Sequence, residues 1–255
     1  MKEKLELIIN KIKEETKKDC YSFEIIEEKA SIKDTKLGGY PYLPKGSEYP
    51  SDENGNPYAL LFQLNFEDIE LDDYPKEGIL QLFVDSELDY PSKYKVVYYD
   101  KVEENIEMEF PDINLSFFMI HEEYKLTLKK TTTYMPINDY RFDKMLSRIA
   151  KEECDLTINH LYSIEDDLND NDAFNYIIEK LPATYAEIGG YANFTQYDPR
   201  EGTNSDLTEC IFKLDSYLDF KKIMIGDCGI AWLLISKEYL RNRDFEQAQF
   251  DWDCL

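Results

Sequence analysis

Leu5, Ile8, Ile9 and Ile12, with Lys and Glu among the residues between them, have the i, i+3, i+4, i+7 spacing of a helix with one narrow buried stripe. Residues 3–18 are therefore predicted helical, with that stripe laid on the body of the protein. The period then changes. Residues 21–33 read as a short strand, after which Gly38, Gly39 and the prolines at 41, 44, 50 and 57 impose an extended, turn-rich path. Apolar, β-branched and aromatic runs predict strands at 58–66, 78–85, 94–99 and 124–134. In the last of these Tyr124, Leu126 and Leu128 alternate with Lys125, Thr127 and Lys129, a strand with one wet face. Helical spacing returns beyond Asp139, the expected cap, with Phe142, Met145, Leu146 and Ile149 inward and Arg141, Lys144, Arg148 and Lys151 on a basic outer face. A second helix is expected over 164–180, ended by Pro182. From Thr184 the pattern is β again, with a polar loop at 238–244 and a terminal edge strand in which Phe250, Asp251, Trp252 and Asp253 alternate.

The β pattern occurs twice. TKLGGYPYLP (35–44) returns as AEIGGYANFTQYDPR (186–200), with Gly38 and Gly189 151 positions apart, Phe62 and Phe212 150 apart, and Gly78 and Gly229 151 apart. Three landmarks held in register over such a distance point to a repeated structural unit. The expected architecture is a β-dominated α+β fold: one compact domain over 1–255, with a helix (1–19), a first antiparallel β unit (20–135), a helical insertion (136–182) and a second β unit (183–255).

Composition changes this picture in one respect. The chain carries 29 Lys and Arg against 53 Asp and Glu, a formal charge of −24. Such a charge disfavours nucleic acid and anionic membranes and favours basic partners or cations. The five cysteines are scattered with no CxxC pair, which suits free thiols in a reducing cytoplasm better than a disulfide scaffold or a zinc cage. The N-terminal segment lacks the apolar core of a signal peptide, and no apolar run reaches the roughly 18 residues needed to cross a bilayer.

No dinucleotide, P-loop, zinc-protease or serine-hydrolase motif occurs, so neither a catalytic residue nor a cofactor is assigned. Asp52, Asn54 and Asn56 resemble the start of a calcium loop, but Pro57 stands where such a loop needs glycine. The candidate ligand-binding residues are Tyr40, Tyr191, Gln196, Asp198, Arg200, Asp227 and Trp252. Asp198 before Pro199 starts a turn that Arg200 can lock through a bidentate contact; alternatively Tyr191, Gln196 and Arg200 are donors in a polar pocket. Asp227, in the tight turn Gly226–Gly229, could join Asp198, Asp215, Asp251 or Asp253 around a hard cation, though the spacing is not that of a metal motif. The only histidines, His121 and His160, lie far in sequence from Cys228 and Cys254, which leaves little basis for a thiol nucleophile.

KLGGYPYLP, LLFQLNF, GILQLFV, the GGY-to-FTQYDPRE phrase, GDCG and the closing DFEQAQFDWDC together resemble the YwqG-like family of bacterial proteins, over about Lys36 to Cys254. The resemblance implies a β-rich duplicated fold without established enzymatic activity, in a family with members among the immunity proteins encoded beside bacterial toxins. Ala186 and Glu187 replace the family's usual His-Lys, and Ala192 its usual Pro, so a catalytic role for that histidine is lost here. The expected function is a non-enzymatic cytoplasmic binding protein, an immunity partner whose acidic, Tyr-rich surface meets a basic toxin. The alternative is a small-ligand or divalent-metal module built on 191–200 and Asp227.

Overall fold

The computed structural model describes residues 1–87 and 92–254. Ten antiparallel strands form one sheet: β1 (Lys18–Ile26), β2 (Lys36–Leu37), β3 (Ala59–Asn65), β4 (Ile79–Val84), β5 (Tyr94–Tyr99), β6 (Tyr124–Thr133), β7 (Ala186–Ile188), β8 (Glu209–Asp215), β9 (Ile230–Ile235) and β10 (Gln249–Asp253). Their spatial order is β10-β9-β8-β7-β1-β6-β2-β3-β4-β5. The fold is α+β and β-dominated, as the pattern predicts. Among the described residues five α-helices complete it: α1 (Lys2–Thr16), α2 (Phe142–Cys154), α3 (Ile164–Leu168), α4 (Ala173–Lys180) and α5 (Lys237–Asn242). Among the described residues no helix is long and apolar enough to cross a membrane.

The sheet reads alike from its middle outward. At the centre β1 pairs with β6 over nine residues, Phe23 opposite Leu128 and Ile25 opposite Leu126. Each central strand is flanked by a short strand that runs into Gly-Gly: β7 beside β1 and β2 beside β6. Next come β8 and β3, each with a register irregularity, between Cys210 and Phe212 and between Leu60 and Phe62. Each then enters a 3-10 turn capped by a side chain, Asp215 accepting from the Tyr217 amide and Asn65 from that of Glu67. Outermost are β9 with β10 and β4 with β5.

The sheet curls until its edges face each other through side chains. Tyr94 on β5 donates to the Ala248 carbonyl (3.3 Å), and the Trp252 indole on β10 donates to Ser92 (2.8 Å). Inside this near-barrel Phe62 and Phe212 stack at 4.2 Å, with Phe23 at 6.5 Å from the first and 6.2 Å from the second. Both faces of β3, β4, β8 and β9 are buried, because segments 41–58 and 192–207 cover their outer sides. Over β8 and β9, Ala192, Phe194 and Leu207 pack on Cys210, Trp232 and Leu234.

The helices form a second core. Leu5, Ile8, Ile9 and Ile12 of α1 bury against Phe142, Leu146 and Ile149 of α2 and Ile177 of α4, so the N-terminal stripe rests on the insertion. The strand expected over 21–33 begins earlier and ends at Ile26, and three expectations for the helical and loop segments differ. The helix expected at 164–180 is two helices, broken where Asn169 takes the left-handed conformation (φ 49°) and caps α3. The loop expected at 238–244 contains α5, started by the Ser236 hydroxyl accepting from the Tyr239 amide and ended by left-handed Arg243. Asp139 does not cap α2, which has no side-chain cap; its carboxylate holds Arg141 instead.

Candidate functional site

The Gly-Gly turns explain themselves through what lies on them. A Cβ at Gly39 would stand 2.3 Å from the Glu123 carboxylate, and one at Gly190 would stand 2.1 Å from that of Glu187. Each carboxylate belongs to an ion pair with a buried lysine: half-buried Glu123 with Lys36 (2.9 Å) and fully buried Glu187 with Lys213 (3.1 Å). The second glycine of each pair is therefore a seat for a carboxylate. Burial lowers the Lys36 pKa, against the pull of Glu123. Cys20, 3.7 Å from Glu187, has its thiol pushed up to about 12, by burial first and then by that carboxylate.

The Asp198-Pro199-Arg200 phrase forms the lock that its spacing suggests. Arg200 Nε and Nη2 reach the two Asp198 oxygens at 2.8 and 2.6 Å, and Nη2 also donates to Asp139 at 2.8 Å. Asp139 in turn takes both arms of Arg141, at 2.7 and 2.6 Å. Asp139, Asp198 and Arg200 are all buried, and the Arg200 guanidinium lies over the rings of Tyr140 and Phe194. Burial opposes ionisation of Asp139, but the forks of Arg141 and Arg200 hold its pKa below the ordinary value. A bidentate, charge-assisted cluster of this kind fixes geometry as well as energy. Here it ties segment 192–207 to the start of α2.

The remaining sequence candidates fall in separate places. Tyr191 donates its hydroxyl to the Thr16 carbonyl at 2.9 Å, and burial pushes its pKa up to about 12. Gln196 is held by Asp253 and by the Cys254 carbonyl, through its amide (3.0 Å) and side chain (2.8 Å). Trp252 faces the opposite sheet edge through Ser92. Asp227 is exposed in its turn. Among the described residues no group of three or more His, Cys, Asp or Glu is placed to hold a metal ion. Tyr40 lies in the other half, exposed and stacked on Phe110 at 4.8 Å.

Two clefts open at corresponding places of the sheet. Beside Gly38 and Gly39 is one of about 430 Å³, floored by Leu60, Ile113 and Ile120 and rimmed by Tyr40, Asp112 and Glu122. Beside Gly189 is one of about 560 Å³, lined by Lys17, Lys18, Asp73, Glu209 and Lys237. The second is laced by ion pairs, Lys18 to Glu209 (2.6 Å) and Lys237 to Asp73 (3.2 Å). Sequence reasoning reached Tyr40, weighed His121 only as a base for a thiol and Glu187 only as a departure from a family motif, and missed Lys36, Glu123 and Lys213 and the ion-pair role of Glu187. The signal for these four charges was their position beside each Gly-Gly, or in or next to the strand paired to it.

A curled ten-stranded antiparallel sheet with polar locks beneath two glycine turns defines a β-rich protein. The chain belongs to the family described as a domain of unknown function, DUF1963, whose profile matches residues 35–254. No curated protein matches the chain.

Proposed function

We propose that this is a non-enzymatic cytoplasmic binding protein that recognises a basic protein partner, in the manner the YwqG-like resemblance implies for immunity proteins and their toxins. One observation carries the reading. Four carboxylates are buried (Asp139, Glu187, Asp198, Asp215) against three buried cations (Lys36, Arg200, Lys213), so among the described residues the interior is close to neutral. Nearly all of the −24 charge is then borne by the surface. Exposed aromatic residues supply contact area on that surface, notably Tyr185, Tyr217 and Phe220, which touch one another. Carboxylates give association rate and selectivity, and tyrosine gives area at low entropic cost.

The related halves support a second statement about origin. Leu37 pairs with Tyr124, and Ile188 pairs with Tyr21, so Tyr21-Ser-Phe23-Glu-Ile25 corresponds to Tyr124-Lys-Leu126-Thr-Leu128. These segments lie 103 positions apart, where the Gly-Gly pairs lie 151 apart. The difference of 48 residues is close to the length of the helical segment 136–182. We infer a duplicated five-stranded unit whose leading strands are exchanged, with the helices inserted in the second copy.

The functional reading is tested by co-expressing the chain with the product of the adjacent gene. Rescue of growth, co-purification and association that slows about tenfold or more from low to high salt are expected. Absence of rescue and of co-purification, or a rate indifferent to salt, overturns it.

A further inference from the structure

We propose that the cleft beside Gly38, Gly39 and Tyr40 is a binding site for an organic cation with an apolar stem, an alkylguanidinium or alkylammonium group. The inference stands apart from the partner reading, since it needs only the cleft and its chemistry. The floor is apolar, formed by Ala59, Leu60, Ile113, Leu115 and Ile120. The rim is made of acceptors. Asp112 and Glu122 are exposed at its mouth and form no ion pair within 4 Å among the described residues. The Nδ1 of His121 lies 2.8 Å from the Leu115 carbonyl. A carbonyl can only accept, so Nδ1 is the donor in this contact. Lys29 is the one lysine or arginine in the lining.

Aromatic faces complete the requirement. Tyr40 stands at the wall, stacked on Phe110, and Tyr49 forms a second aromatic wall while its hydroxyl is spent on the Tyr58 carbonyl (3.1 Å). A planar or tetrahedral cation beside an aromatic face gains about 0.5–1 kcal/mol where solvent reaches and more when desolvated. The volume, about 430 Å³, lies at the lower end of the roughly 300–1,000 Å³ usual for small-molecule sites. An apolar floor under an anionic, aromatic rim suits a ligand that is hydrocarbon at one end and charged at the other.

The corresponding cleft at Gly189 shows what the first lacks. There Lys18 and Lys237 neutralise Glu209 and Asp73, and Leu71 packs over Gly189 itself. The tyrosine corresponding to Tyr40 is Tyr191, turned inward onto Thr16. The same sheet position is thus internally neutralised in one half. In the other, Lys29 lines the cleft, but among the described residues neither Asp112 nor Glu122 forms an ion pair within 4 Å.

The test titrates the full-length chain with n-butylguanidinium and with n-butylurea, its uncharged counterpart, following backbone amide resonances at constant ionic strength. Saturable one-site shifts centred on Gly38, Gly39, Tyr40 and His121 are expected, with n-butylurea at least tenfold weaker. The exposed pair Asp112→Asn and Glu122→Gln should weaken n-butylguanidinium at least tenfold. Glu201→Gln with Asp206→Asn, charge changes in the other half, should leave it unaltered. A capped Gly-Arg-Gly peptide identifies the source: binding equal to n-butylguanidinium assigns the cleft to a side chain presented by a protein, and failure of the peptide alone assigns it to a free amine or guanidine. Shifts spread over the whole acidic surface, equal binding of n-butylurea, or equal loss in the two variant pairs would overturn the proposal.

Discussion

Replacing Gly190 by alanine tests whether that glycine exists to seat a carboxylate. Gly190 does not take a positive φ, so its own backbone would tolerate alanine; the obstacle is Glu187, whose Oε2 would lie 2.1 Å from the new Cβ. Glu187 is fully buried and Lys213 nearly so. Displacing the carboxylate strands Lys213 without a counter-charge, and breaking a buried pair in this way costs about 3–5 kcal/mol. For a chain of this size that lowers the melting temperature by roughly 10 °C. In a background where the pair is already removed, Glu187→Ala with Lys213→Met, the same Gly190→Ala change meets Thr133 Cγ2 at 3.2 Å and should cost under about 1 kcal/mol. Gly39 behaves differently. Its φ of 73° leaves about 1–2 kcal/mol of strain for alanine even after Glu123 and Lys36 are replaced. Urea unfolding followed by circular dichroism gives each difference at constant slope. If Gly190→Ala cost as much without the ion pair as with it, the seat would not be the reason for the glycine.

Other outcomes follow from the same contacts. Arg200→Met should destabilise by about 3–5 kcal/mol, since it strands Asp198 and Asp139 in the interior. Arg200→Lys, which keeps charge but loses the fork, should fall between Met and the native residue in a thermal melt. Because the Asp139 pKa is depressed, the stability it supplies is complete above the ordinary carboxylate value of about 3.9 and is lost as pH falls through its lower folded value. Asp215 and Asp251, raised by burial, act in the opposite sense, so their contribution improves on acidification. Melting temperature should therefore hold from neutrality to about pH 4 and fall below it, and a steep fall already between about pH 6 and pH 5 would contradict the assignment. Cys20 and Cys210, raised to about 12 and about 11 chiefly by burial, should resist a thiol reagent at neutral pH until denaturant is added, while Cys154, Cys228 and Cys254, half-buried, react in the native state. Ser236→Ala should cost about 1 kcal/mol through loss of the α5 cap, and Ser236→Gly only a few tenths.

The strands were legible because their burial is continuous. The runs at 60–64 and 79–84 are buried on both faces, so no polar residue falls where it would break an apolar pattern, apart from Gln63 and Gln81. Those two are tied to each other and to the Tyr42 backbone: Gln81 Nε2 donates to Gln63 Oε1 at 2.8 Å and to the Tyr42 carbonyl at 2.7 Å. Short helices were harder. α5 and the α3–α4 break depend on one hydroxyl cap and on left-handed Asn169 and Arg243, features that occupy single residues and leave no period. The candidate site was read from phrases that catch the eye, and Asp198 and Arg200 proved to be joined while Asp227, Trp252 and Tyr40 stand elsewhere. The charges that shape the glycine turns were passed over, because Lys36, Glu187 and Lys213 look like the solvated members of alternating strands until the covering segments are added.

The strand exchange inferred here explains why the central pair was the least legible part. Tyr21 to Ile25 and Tyr124 to Leu128 share only tyrosine and alternation, and their spacing of 103 departs from the 151 that links the glycines. No comparison at a fixed period would align them; the pairing of Leu37 with Tyr124 and of Ile188 with Tyr21 does. Exchange has a physical consequence. Because β1 pairs with β7 and β6 with β2, neither β2–β5 nor β7–β10 has a covered inner edge when alone, and an uncovered edge invites further pairing. The Phe23, Phe62 and Phe212 stack also draws one ring from β1 and one from each half. That stack joins β1, β3 and β8 in one core, and the clefts at the two glycine turns, one ion-paired and the other not, differ in side chains while opening at corresponding places of the sheet.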